Sequence, residues 1–117
     1  MTTIPDGHVI FHVASAEDVA AIKMHSEYRC NSLSSEGFIH CCERNQLAGV
    51  LQRYYQGVDN LKLLVIDPQR LENELVVENT TGGSELFPHI YGPINIDALD
   101  TILDFSLASN CRQEITA

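Results

Sequence analysis

Basic residues are scarce in this chain. Seven lysines and arginines stand against sixteen aspartates and glutamates, for a formal net charge of −9. Nucleic-acid binding depends on Lys and Arg neutralising phosphates, so a polyanion is repelled, and acidic membrane surfaces are disfavoured for the same reason. A small anion remains admissible, because backbone N–H groups and one or two arginines can cradle it locally. Long apolar runs are missing too: none approaches the ~20 residues of a membrane helix. The opening Met1-Thr2-Thr3-Ile4-Pro5-Asp6 lacks the basic and apolar regions of a signal peptide, which leads to the expectation of a cytoplasmic protein. Cys30, Cys41, Cys42 and Cys111 lack the Cys-x2-4-Cys spacing of closed zinc sites, and in the cytoplasm they are expected to be free thiols. There is no Gly-x-Ser-x-Gly elbow to activate a serine and no Gly-x-x-x-x-Gly-Lys phosphate loop. Ser32, Ser34 and Ser35 therefore read as a solvated loop, and Gly82-Gly83 as a turn.

What is present fits one domain spanning residues 1–117. Of its residues 44% are hydrophobic, and a chain of this length buries roughly two thirds of its unfolded surface without staples. Residues 8–14 read as a strand. Ser15 then caps a helix from about Ala16 to about His25, with Val19, Ala20 and Ile22 inward and acidic residues in its first turn. An irregular stretch from Tyr28 to Gly37 leads to a short strand at Phe38–Cys41. Leu47, Val50, Leu51, Tyr54 and Tyr55 recur at the spacing of one buried helix face, with Asn45 or a neighbour as cap and Gly57 as stop. Strands follow at residues 61–66, 75–78 and 87–90, with a capped turn at Asp67-Pro68 and a break at Tyr91-Gly92-Pro93. Asp97 to Asp100 reads as a helical turn, and Thr101 to Phe105 alternates as a last strand. Residues 109–117 read as a frayed tail. Two main helices early and strands dominating the second half predict an α+β fold with a small, mixed or antiparallel sheet.

Three of the five histidines follow apolar residues at strand positions: His12, His40 and His89. Each alone is more often a core or edge residue with a satisfied hydrogen bond. Together they suggest a shared site. Glu36 and Glu85 each precede a histidine by four residues, so carboxylate and imidazole share a strand face about 13 Å apart and must find partners on other strands. A three-histidine metal site from His12, His40 and His89 is a further reading of the same residues.

Four ordered segments carry a resemblance. They are Ile10-Phe11-His12-Val13-Ala14-Ser15, Ser35-Glu36-Gly37-Phe38-Ile39-His40-Cys41, Leu64-Val65-Ile66-Asp67-Pro68 and Glu85-Leu86-Phe87-Pro88-His89-Ile90-Tyr91-Gly92-Pro93. Over roughly residues 8 to 105 the chain resembles the bacterial family called domain of unknown function 952, which is similar in fold to ADP-ribosyltransferases. That resemblance implies a split sheet that clamps NAD, with His12 on a ribose hydroxyl and His40 or Phe38 against the nicotinamide. Glu85 is the nearest counterpart of the glutamate that steadies the positive sugar, and the Phe87-Pro88-His89 after it departs from the usual pattern, which brings His89 into the same role. The arginines of the related RNA phosphotransferases are missing from these motifs. The resemblance thus assigns Glu85, His89 and His40 to catalysis, and His12, Ser35, Glu36, Phe38 and Tyr91 to holding the ligand. NAD enters as a substrate, since no resident cofactor or metal is implied.

Breaking the nicotinamide–ribose bond develops an oxocarbenium-like charge that a fixed carboxylate stabilises, so such a protein needs only positioning groups around a dry cleft. Three functions stay open at this stage. They are an ADP-ribosyltransferase-like enzyme acting on NAD or ADP-ribose, a non-catalytic module for a nucleotide-like small molecule, and a metal-assisted hydrolase on the three histidines. None involves nucleic acid or membrane, and the sequence specifies no oligomeric state.

Overall fold

The computed structural model describes residues 8–80 and 82–105. Its centre is a three-stranded antiparallel sheet in the order β1 (Ile10–Ser15), β4 (Leu61–Ile66), β8 (Leu99–Phe105). Strand β4 earns the central place because both of its faces are apolar. Leu61, Leu63 and Val65 pack with Phe11, Val13 and Leu103 into one core, whereas Leu64 and Ile66 pack with Ile10 and Ala14 into another. Alternation along a strand sends neighbours to opposite faces, so Leu61-Lys62-Leu63-Leu64-Val65-Ile66 supplies both cores at once.

Helix α4 (Leu47–Tyr54) covers the first face with Leu47 and Leu51, while Val50 and Tyr55 pack at its margin. Tyr54, expected on that face, is instead 68% exposed. Neighbouring helix positions lie about 100° apart, and here Tyr55 takes the inward direction. The helix follows a 3-10 turn at Arg44–Gln46; its own N-cap is Gln46, a neighbour of Asn45, and the turn before it is capped by Glu43. The Glu43 carboxylate accepts from the Gln46 backbone, and the Gln46 side chain accepts from the Glu43 N–H at 2.8 Å.

The second face is covered by a two-stranded pair and a further antiparallel sheet. The pair joins β2 (Glu27–Tyr28) to β7 (Ile94–Asn95), and the sheet runs β3 (Ile39–His40), β6 (Phe87–Ile90), β5 (Leu75–Glu78). Every strand pairing among the described residues is antiparallel. The helix expected over residues 16–25 forms as two consecutive pieces, α1 (Ala16–Ala20) and α2 (Ile22–His25). Ser15 is its cap, accepting from the Asp18 N–H at 3.1 Å. Val19 and Ile22, three residues apart, pack on the second core; Ala20 lies off that stripe and is exposed. The stretch read as irregular holds β2 and a short helix, α3 (Asn31–Ser35), which the Ser32 hydroxyl ties to β3 by donating to the Phe38 carbonyl at 2.8 Å. The Asp67 cap and the turn at Pro68–Arg70 match expectation, as do the spans of β4, β5 and β6. Cys30, Cys41 and Cys42 are free, whereas Cys111 and the tail at 109–117 lie outside the described residues. No helix among the described residues is long and apolar enough to cross a membrane.

Candidate functional site

Two sheets meet at one backbone pair and then part. Phe11 donates to the Cys42 carbonyl and Cys42 to the Phe11 carbonyl, each at 2.8 Å, which is an isolated antiparallel bridge between β1 and the chain just after β3. Beside this fork lies a cavity of about 640 Å³, a volume suited to a small organic ligand. His12 of β1, His40 of β3 and His89 of β6 all line it, so three residues far apart in the chain converge there. Phe11, Val50, Tyr55 and Phe87 give it apolar walls, and Asp18, Tyr28 and Ser32 add polar groups. Among the described residues, neither lysine nor arginine lines it.

His12 is held on both sides. Its Nδ1 lies 2.5 Å from the His40 carbonyl and its Nε2 lies 2.7 Å from the Tyr28 hydroxyl. A carbonyl only accepts, so Nδ1 carries the proton, and a neutral ring must then accept at Nε2 from the Tyr28 O–H. Burial pushes the His12 pKa below its ordinary value, against the raising influence of the His40 carbonyl and of Asp18, which keeps the ring neutral. Burial likewise raises the Tyr28 pKa, so its hydroxyl keeps its proton.

His89 is buried, and its Nδ1 meets Glu78 Oε2 at 2.9 Å. The Tyr91 hydroxyl donates to that same oxygen. The Tyr91 bond and, after it, the His89 bond draw the Glu78 carboxyl below the usual range, while Tyr91 is raised by the same contact. Register explains the meeting. Val76 pairs with His89 and Glu78 with Phe87, so Glu78 and His89 project from one face of adjacent strands. Phe38 stacks on His89 with ring centroids 4.3 Å apart and planes 22° from parallel, and it also touches His40 and Tyr91.

The remaining assigned residues scatter around this centre. His40 lies directly opposite His89 in register, their rings edge to face at 5.1 Å, and its Nε2 reaches Glu36 at 3.1 Å. Both His40 and Glu36 are exposed. Phe38 and Tyr91 support His89 without lining the cavity. Ser35 is exposed on α3, donates to the carbonyl of the lining residue Asn31, and does not itself line the cavity. Glu85 is also outside it: its carboxylate accepts from Gln46 at 3.1 Å and lies 3.9 Å from Arg53. The three histidines do not assemble a metal site. Both ring nitrogens of His12 are taken, and no three His, Cys, Asp or Glu side chains among the described residues stand together as ligands. The buried thiols are not nucleophiles at neutral pH, since burial raises Cys41 well above its ordinary pKa and pushes Cys42 up to about 12. Glu78, Tyr28 and Asp18 are the site residues that sequence reasoning missed. Strand pairing alone brings Glu78 to His89, and Tyr28 sits in a two-residue strand with no periodic signal.

An α+β chain with split antiparallel sheets and a histidine-lined cavity at their fork is what fold and site define. The chain belongs to the family described as a protein of unknown function, DUF952, whose model matches residues 13–102. The match begins one residue after His12 and spans Asp18, Tyr28, His40, Glu78, His89 and Tyr91. The crystal structure of protein CC0527 from Caulobacter crescentus is similar, with 23% identity, a TM-score of 0.81, and coverage of 93% of this chain and 99% of that one. The solution NMR structure of CC0527 is similar over 84% of each chain, with 25% identity and a TM-score of 0.72. No curated protein matches the chain.

Proposed function

We infer that this cavity binds an NAD- or ADP-ribose-like small molecule by its nicotinamide–ribose end, in the manner of an ADP-ribosyltransferase-like enzyme. The observation that carries the reading is the convergence of His12, His40 and His89 on one cavity of about 640 Å³ where two sheets part. Its chemistry suits the uncharged or cationic end of such a ligand. The walls are aromatic and aliphatic, the polar groups are chiefly hydroxyls and imidazoles, and Asp18 is the one carboxylate among the described lining residues. With no lysine or arginine among the described lining residues, the pyrophosphate is left outside. A pyridinium-bearing nucleoside placed inside finds Asp18 as its counter-charge, and Glu85, which is not among the lining residues, has no part in binding it.

Titration of the amide NMR spectrum with NAD, nicotinamide riboside and ADP-ribose at millimolar concentration tests this. NAD and nicotinamide riboside should both shift resonances of β1, β3 and β6, with similar affinity because the phosphates contribute little. Asp18→Asn should weaken nicotinamide riboside about tenfold, equivalent to roughly 1.4 kcal/mol, whereas Glu85→Gln should leave it unchanged. A spectrum unmoved by all three compounds rejects the reading. The displacement of Glu85 from the cavity favours a second one, a binding module without turnover, which predicts the same shifts and no release of nicotinamide from NAD.

A further inference from the structure

His89 lines the cavity beside the edge-to-face ring of His40, but the other groups that hold it stand outside. Glu78 takes the Nδ1 corner, Tyr91 secures Glu78 from beyond, and Phe38 covers one face of the ring; none of the three lines the cavity. An ionised carboxylate only accepts, so Nδ1 carries the proton, and in the neutral ring Nε2 then holds the lone pair. Nε2 makes no hydrogen bond among the described residues, and since no buried side-chain nitrogen among them lacks a partner, Nε2 reaches open space on a residue that borders the cavity. The contrast with His12 is direct, since there both nitrogens are spent on Tyr28 and the His40 carbonyl. A buried imidazole fixed in one tautomer by a carboxylate, with its other nitrogen toward a ligand cavity, is the arrangement of a general base.

We propose that His89 Nε2 is the general base of this cavity, accepting a proton from an O–H nucleophile, with Glu78 as a positioning residue and Tyr91 holding Glu78. The nature of the step rests on the ligand reading given above. The oxygen of water or of an alcohol bonds to the ribose carbon that carries nicotinamide. The carbon–nitrogen bond breaks with its electron pair passing to the ring nitrogen, so that neutral nicotinamide leaves. The proton of the O–H moves to Nε2, and the resulting imidazolium is stabilised by the Glu78 carboxylate. An amine or guanidinium acceptor has less use for this base than a hydroxyl does, because imidazole is matched to proton transfer near neutral pH.

Long-range ¹H–¹⁵N spectra of the full chain, labelled in its imidazoles and recorded with the rings neutral, test the base without any ligand. Native His89 should show the proton on Nδ1. Glu78→Ala should move population to the Nε2–H form, Glu78→Gln should retain Nδ1–H because its amide oxygen still accepts, and Tyr91→Phe should retain it too. A proton on Nε2 in the native protein, or an unchanged tautomer in Glu78→Ala, overturns the proposal. With NAD as probe, nicotinamide release should fall about 10²–10⁴-fold in His89→Gln and should fall further in Glu78→Ala than in Glu78→Gln. ADP-ribose as co-product identifies water as the acceptor, and a methyl riboside in added methanol identifies an alcohol. NAD that binds without releasing nicotinamide overturns the catalytic step. NAD and nicotinamide riboside that fail to bind, with the native tautomer as expected, overturn the ligand reading and leave the base in place.

Discussion

His12 shows how one buried side chain couples stability to pH. Its folded pKa lies below the ordinary 6.5, with burial as the largest cause. The unfolded chain therefore binds the extra proton first. Stability is complete above about pH 6.5 and is lost as pH falls below it toward the depressed folded value, with a slope of at most about 1.4 kcal/mol per pH unit. Asp18, whose charge favours the protonated ring, the His40 carbonyl and the Tyr28 hydroxyl are the groups that act on the ring across this range. Urea midpoints should thus fall between about pH 7.5 and pH 5.5, and His12→Gln should flatten that dependence even if it lowers stability at both ends. Glu78 acts in the same direction but at more acidic pH. Its pKa is lowered, so what it contributes is present above the usual carboxylate range and disappears as pH drops through the folded value.

Among the elements, α4 depends most on a single polar residue. Gln46 closes the capping box with Glu43, and its side-chain N–H groups also donate to the Leu86 carbonyl at 2.8 Å and to Glu85. One amide therefore starts the helix and anchors the residues before β6, whose Phe87 and His89 line the cavity. Gln46→Ala should cost about 1 kcal/mol of stability, the usual worth of a helix cap, read from the urea midpoint at constant m-value. Ligand-dependent amide shifts in β6 should broaden in the same variant, because the segment that precedes the strand has lost its tie.

At the scale of the molecule, the central sheet is covered on both faces, and this makes an ordinary-looking strand decisive. Leu63 and Leu64 are adjacent in β4 and both fully buried, each in a different core. Leu63→Ala and Leu64→Ala should each cost about 2–5 kcal/mol, measured by chemical denaturation, since each opens a cavity with no solvent to fill it. An equivalent truncation at exposed Ile102 on the edge strand should stay within about 0.5 kcal/mol. A sheet with only one buried face would show a large effect at just one of the two leucines.

Local chemistry in the sequence determined much of the element plan. The apolar run of β4, the Ser15 and Asp67 caps, the turn at Tyr91-Gly92-Pro93 and the α+β order are all set by neighbouring residues, and so they are legible without a fold. The same holds for the three histidines as suspects, because three imidazoles after apolar residues on strands form a pattern that none of them makes alone. Only the tertiary structure decided which groups each histidine meets. Pairing register between β5 and β6 chose Glu78 as the carboxylate for His89, and the packing of β2 chose Tyr28 for His12. Glu36 meets His40 directly, against the expectation of partners on other strands, because the chain turns at Gly37 instead of running extended. Glu85, at the same spacing from His89, stays outside the cavity with Gln46 and Arg53. The reason is physical: spacing along a strand fixes only the face on which a side chain lies, whereas its partner belongs to the neighbouring strand, and a shift of one residue in pairing selects a different one.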